Sequence, residues 1–163
     1  MVTSESGAEQ IVRDARIAQI YEGTNGVQAL DLVARKVIKD GGRAVQSFLE
    51  YVRNTKVDSG LIVVLEENLN RLDFVTQSIV RRSQADPDLP GSVSADYLEL
   101  FGLVCYAWLW ARMVHHAPSD EFGSAKKETA RFFFHRLLPP TVFLEQSIES
   151  NSDVAMTLSD DAF

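Results

Sequence analysis

From Leu61 to Ile79 the apolar side chains fall at helical spacing. Leu61, Leu65, Asn68 or Leu69, Leu72, Val75 or Thr76, and Ile79 trace an i, i+3, i+4, i+7 stripe. Such a stripe has one apolar face that must be buried against another element. Nearly every other periodic segment of the 163-residue chain repeats this pattern, and no strand-like alternation of useful length competes with it. The fold class this dictates is all-α, an up-and-down helical bundle of about six helices.

The punctuation between the stripes sets the expected elements. A first helix is predicted over 8–21, with Ile11, Ala15 and Ala18 inward. Thr24 and Asn25 are placed to cap a second helix carrying Val27, Leu30, Val33, Ala34 and Val37. Gly41-Gly42 ends it, with Lys36 and Lys39 favouring a C-terminus. A third helix is expected over about 43–55, with Val45, Phe48, Leu49 and Val52 inward. Asp58-Ser59 would cap the fourth. The segment 86–91, Asp-Pro-Asp-Leu-Pro-Gly, reads as a loop. Ser92 or Ser94 would open a fifth helix running to about His116. That helix is apolar nearly all round from Leu100 to Leu109, as for the central rod of a bundle. A second loop is expected over 118–123. The last helix spans 124–138, kinks or breaks at Pro139-Pro140, and resumes through Ile148. The polar, acidic tail from Ser150 is expected to fray.

Composition narrows the function classes. A formal net charge of -7 gives no basic field for phosphates, so nucleic-acid binding is not expected. The apolar run 100–114 is interrupted by Arg112 and falls short of the about 20 residues of a membrane span. The N-terminus lacks the basic and apolar regions of a signal peptide. The single cysteine, Cys105, precludes an internal disulfide and fits a cytoplasmic setting. Within an apolar run it reads as an inert core thiol. His115-His116 at a helix C-terminus reads as structural, with no metal site. Phe132-Phe133-Phe134, Trp108 and Trp110 read as core or subunit-contact aromatics. Arg81-Arg82 and Lys126-Lys127 read as solvated helix faces.

The chemistry-bearing stretch is 13–30. A periodic helix runs into Tyr21-Glu22-Gly23-Thr24, and a second helix starts at once. One carboxylate, Glu22, stands at the break. Gly23 permits close approach of a ligand, and the N–H groups opening the next helix are free to face an anion or a cofactor oxygen. Spacing alone favours a solvated helix–helix turn.

The string Arg13-Asp14-Ala15-Arg16 with Ile20-Tyr21-Glu22-Gly23-Thr24 resembles the active-site segment of acyl-CoA dehydrogenases, and the likeness continues from about 10 to 36. It implies that Glu22 removes the α-proton of an acyl-CoA thioester while its backbone N–H helps hold the thioester oxygen. It further implies that the β-hydrogen leaves as hydride to N5 of FAD, giving a trans-2-enoyl-CoA. By the same resemblance Gly23 lies against substrate, and Thr24, Asn25 and Gly26 lie against FAD. An electron-transferring flavoprotein is the implied acceptor. From about residue 40 the chain is similar to the appended C-terminal helical domain of one subgroup, that of the 3-methylmercaptopropionyl-CoA dehydrogenases. Ala130-Arg131-Phe132-Phe133-Phe134 and Leu137-Leu138-Pro139 carry that likeness best.

The domain reading follows: 1–39 is the end of the dehydrogenase helical domain, and 40–163 is the appended helical domain. The expectation is that the chain is the C-terminal part of a homo-oligomeric enzyme. Counterparts of the family's N-terminal helical and middle β domains are missing from it. The isolated chain is therefore expected to be inactive and not to retain FAD. The alternative is a non-catalytic helical module for interaction or oligomerisation.

Overall fold

The computed structural model describes the backbone of residues 8–20 and 24–150, and the side chains of 9–17 and 24–150. Among these residues it is all-α. The helices are α1 (Ala8–Ile20), α2 (Asn25–Leu30, continued by π-helical turns over Asp31–Ile38), α3 (Arg43–Arg53), α4 (Ile62–Arg82), α5 (Leu89–His116), α6 (Glu121–Phe132, continued by a π turn over Phe133–Leu137) and α7 (Thr141–Glu149). The break expected at Pro139-Pro140 separates α6 from α7. Counted as one broken rod they give six helices. The expected fraying of the tail beyond Ser150 lies outside the described residues.

α5 is the central rod, packed against α2, α4, α6 and α7. Its buried stripe is Leu89, Val93, Tyr97, Leu100, Val104, Ala107 and Ala111. Against it stand Leu65, Leu69, Leu72, Val75 and Ile79 of α4, Val45, Leu49 and Val52 of α3, and Leu144 and Ile148 of α7. Each fully buried leucine or isoleucine contributes about 1.5–3 kcal/mol of hydrophobic stabilisation. The α4 stripe is as predicted, and at each ambiguous pair both residues are buried: Asn68 with Leu69, Val75 with Thr76. Burial on most sides of α5 is overstated. Tyr106 is 58% exposed, and Leu109 and Met113 are exposed too. By length and hydropathy α5 could cross a membrane; here it is the core helix of the bundle.

The second stripe is as expected at Val33 and Val37 and differs at its start. Ala29, Val33 and Val37 are buried, while Val27 is 67% exposed and Leu30 is exposed. The cause is the π-helical continuation, whose wider turn brings residues four apart onto one face. This helix closes in a Schellman motif: the Gly42 N–H donates to Val37 O at 2.9 Å, and the Gly41 N–H to Ile38 O at 3.1 Å. Both glycines take positive φ, 68° and 79°. Asp40 then caps α3, accepting from the N–H groups of Gly42 and Ala44.

The helix starts differ most from expectation. Thr24 makes no side-chain cap, because its ψ of 0° is helical rather than the extended value that lets a hydroxyl reach back. Asp58 holds the turn before α4 by accepting from the Gly60 N–H at 2.9 Å. α5 begins at Leu89, inside the expected loop, with Pro90 in its first turn. Asp86 supports that start by accepting from the N–H groups of Asp88 and Leu89. α6 begins at Glu121 rather than Ser124, because Asp120 caps it through the Gly123 N–H at 2.8 Å. The turn there is tight: a Cβ on Gly123 would lie 1.8 Å from the Pro118 carbonyl oxygen. Gly123→Ala should destabilise the fold by about 1–3 kcal/mol as forced overpacking. A thermal melt that does not move would contradict this packing.

α7 is tied to α4 and α5 by polar groups far apart in sequence. Arg71 Nε donates to Glu145 at 2.6 Å, and Thr141 Oγ1 donates to Asn68 Oδ1 at 2.8 Å. Ser78 donates to Glu149 at 2.8 Å, and Ser147 to Asp96 at 2.6 Å. Arg82 donates to the carbonyls of Ile148 and Ser150, the last turn of α7, so it is not the solvated residue expected. Arg81 is exposed as expected. The buried Glu149 Oε1 has no hydrogen bond, though the Arg82 guanidinium stands 3.8 Å away.

Candidate functional site

Two of the five sequence-predicted site residues, Glu22 and Gly23, lie outside the described residues. The other three open α2. Thr24 is half-buried and its carbonyl accepts from the Gln28 N–H at 2.7 Å. Asn25 and Gly26 are exposed, and nothing lies within 4 Å of a Cβ built on Gly26. A hydroxyl, an amide and an uncrowded helix start stand side by side there. They supply an edge and not an enclosed pocket.

The side chains described on α1 from Gln10 on, and those on the outer side of α2, are exposed. On α1 every described side chain from Gln10 to Ile17 is exposed, Ile11 to 71%, so the inward placement expected for Ile11 and Ala15 is not observed. The Ala18 side chain lies outside the described residues. Among the described residues nothing covers this face. Val27 and Leu30 of α2 are also exposed. Ala29, Val33 and Val37 on the other side of α2 are locked into the bundle core. The segment that follows Glu22 is therefore anchored on one face and open on the other.

The Tyr97 hydroxyl is buried 2.7 Å from Thr76 Oγ1, which itself donates to Leu72 O. Burial pushes the Tyr97 hydroxyl above the usual phenol range, so it stays protonated as a core hydrogen-bond donor. Burial likewise pushes the Cys105 thiol up to about 11, which leaves little nucleophilic thiolate at neutral pH. His115 and His116 are exposed neighbours at the end of α5, and His135 is exposed on α6. Among the described residues no three His, Cys, Asp or Glu side chains converge as metal ligands. Phe133 and Phe134 are core residues, whereas Phe132 is exposed. Trp108 donates its indole N–H to Thr55 Oγ1 at 2.8 Å and carries the Arg112 guanidinium over its ring.

One surface feature escaped the sequence reading. An open groove of about 500 Å³ runs between α5 and the α6–α7 rod. Its lining is mostly apolar, with Leu103, Tyr106, Trp110, Phe133, Leu137 and Pro140 joined by the charged Glu99 and Arg136. The signal was present as the i, i+3, i+4 series Glu99, Leu103, Tyr106, Trp110. It was masked by the all-round apolarity of α5.

Residues 42–159 match the family described as "Acetyl-CoA dehydrogenase C-terminal like". The chain belongs to this family. Among curated proteins it is similar to the 3-methylmercaptopropionyl-CoA dehydrogenase of Ruegeria pomeroyi, at 29% identity over 180 residues. It is also similar to the broad-specificity linear acyl-CoA dehydrogenase FadE5 of Mycobacterium tuberculosis, at 26% identity over 178 residues. Both alignments cover 95% of this chain and 29% of the relative. The chain thus spans under a third of the length of either relative.

Proposed function

We propose that this chain supplies the catalytic-base segment and the appended helical domain of a flavin-dependent acyl-CoA dehydrogenase. The observation that carries the proposal is the string Arg13 to Thr24 in a chain whose relatives are named as acyl-CoA dehydrogenases. Glu22 is the base. Its carboxylate takes the α-proton of the acyl-CoA thioester, and its backbone N–H polarises the thioester oxygen where enolate charge develops. Gly23 gives the thioester room to approach. Thr24, Asn25 and Gly26 would hold FAD along its polar edge. When bound, FAD would accept the hydride from the β-carbon, so that proton and hydride leave together as the α,β double bond forms.

The core burial of Ala29, Val33 and Val37 gives this reading a physical basis. It holds the helix that follows Glu22 in sequence against the bundle core, as a segment that positions a base requires. The division at 39/40 is then one of roles. Residues 1–39 carry the chemistry, and 40–163 form the bundle that braces it. An electron-transferring flavoprotein is the proposed electron acceptor, and a homo-oligomer the proposed assembly.

One edge of a site does not close around a flavin. The 163-residue chain by itself should therefore show no flavin absorption after FAD is added and free dye is removed. Stoichiometric bound flavin would mean that this chain carries a complete site, against the proposal. The rival, a non-catalytic interaction module, draws on the exposed apolar face of α1. It requires that neither flavin nor acyl-CoA bind near Glu22 even in the complete protein.

A further inference from the structure

The π turn over Phe133–Leu137 builds one side of the groove between α5 and the α6–α7 rod. The Leu138 N–H donates to Phe133 O at 3.0 Å, five residues back, and the wider turn brings Phe133, Arg136 and Leu137 to one opening. Such π turns recur at functional sites. α5 supplies the other side through Glu99, Leu103, Tyr106 and Trp110, spaced i, i+4, i+7, i+11. Phe133 is buried, and the Tyr106 ring packs edge-on against it with centroids 6.3 Å apart. The aromatic part of the lining is therefore held in place before anything binds.

Three hydrogen-bond donors in this lining are unused. Arg136 has no ion pair or hydrogen bond among the described residues, and neither the Tyr106 hydroxyl nor the Trp110 indole N–H has a hydrogen-bond partner there. The like groups of Trp108 and Tyr97, also on α5, are satisfied: Trp108 donates to Thr55, and the Tyr97 hydroxyl meets Thr76. Among the described residues the buried side-chain atom without a partner is Glu149 Oε1, so the three free donors are accessible. Accessible donors in an otherwise apolar lining fit an acceptor carried on a mostly apolar molecule. The guanidinium fork matches a carboxylate. Glu99 in the same lining and the chain's net charge of -7 oppose an anion of more than one charge. The groove's volume of about 500 Å³ is that of a small-molecule site. Its eight lining residues fall short of the about 20–30 a side of a stable protein interface.

We propose that this groove is a binding site for an amphipathic monocarboxylate, a free acid with an alkyl or aryl body. Arg136 holds the carboxylate, and the Tyr106 hydroxyl and Trp110 indole N–H supply the further donors. The body lies against Leu103, Phe133 and Leu137, and Glu99 turns away a second negative charge. The proposal uses neither flavin nor Glu22 and goes beyond the dehydrogenase reading.

Heteronuclear NMR of the amide and indole N–H groups of the full chain, titrated with decanoate, tests this. Decanoate should shift the Trp110 indole signal saturably, at one equivalent per chain, while the Trp108 indole signal stays in place. Decanol, with the same alkyl chain and no charge, should bind at least about tenfold more weakly. Arg136→Gln should weaken decanoate about tenfold and leave decanol unchanged. Leu137 is exposed, so Leu137→Asp spares the fold and should remove binding of both. A Trp110 signal that does not shift saturably would overturn the proposal. So would equal affinity for decanoate and decanol, or decanoate binding that survives Arg136→Gln. A Trp110 signal that moves with protein concentration alone would also overturn it, by assigning the groove to a second copy.

Discussion

Glu22→Gln in the complete dehydrogenase should leave flavin bound and abolish its reduction by acyl-CoA. The substitution keeps the size of the side chain and removes only its capacity to take a proton. A positioned general base is worth about 10²–10⁴ in rate, so anaerobic bleaching of the flavin band should slow by at least that range. The α-proton of a thioester is weakly acidic, and the backbone N–H that stabilises the enolate does not itself receive a proton. Unaltered flavin content separates lost chemistry from a lost cofactor site. Bleaching at the unaltered rate would take Glu22 out of the mechanism.

Leu100→Ala should be the largest single loss of stability among simple truncations of the bundle, about 2–5 kcal/mol. Leu100 is fully buried on α5, the rod packed against α2, α4, α6 and α7. Removing it leaves a cavity that α4 and α7 cannot both close, because their polar ties fix their spacing. Those ties are Arg71 to Glu145 and Thr141 to Asn68. Phe143→Ala is the control: Phe143 is 67% exposed, and its removal should cost no more than about 0.5 kcal/mol. Urea unfolding of the two variants checks the pair. Equal small losses would mean that α5 is not the centre of the core.

The helices whose faces differ strongly were legible in the sequence. α3 and α4 alternate apolar and polar arcs, and Val45, Leu49, Val52, Leu65, Leu72 and Ile79 are buried as the spacing requires. The break at Pro139-Pro140 and the Gly41-Gly42 stop were equally plain, since both rest on local backbone chemistry. What was not legible depends on groups far apart in the chain. α5 is apolar all round, so spacing could not say that Tyr106 and Met113 face outward. α2 continues into π-helical turns, and its buried stripe includes Ala29 and leaves out Val27 and Leu30. Arg82 looked like one half of a solvated pair until the end of α7 was placed against it. Asp120, not Ser124, opens α6, because Gly123 allows the chain to fold back on Pro118.

The candidate site was nominated by resemblance, and its central residues, Glu22 and Gly23, lie outside the described residues. Glu22, Gly23 and Thr24 stood out by resemblance, where spacing alone favoured a solvated turn. Thr24, Asn25 and Gly26 lie together at an open helix start, and the opposite face of that helix is held in the core. On the proposed reading, the open face and the exposed side of α1 are what the rest of the active site would cover.

The most direct test of Glu22 as the base is α-proton exchange in deuterium oxide, with the complete enzyme and an acyl-CoA that has α- but no β-hydrogens. Hydride transfer is then impossible, and only proton removal at the α-carbon is read. Deuterium entering the α-position with Glu22 present, and not with Glu22→Gln, is the predicted result. Equal exchange by both proteins would contradict the account.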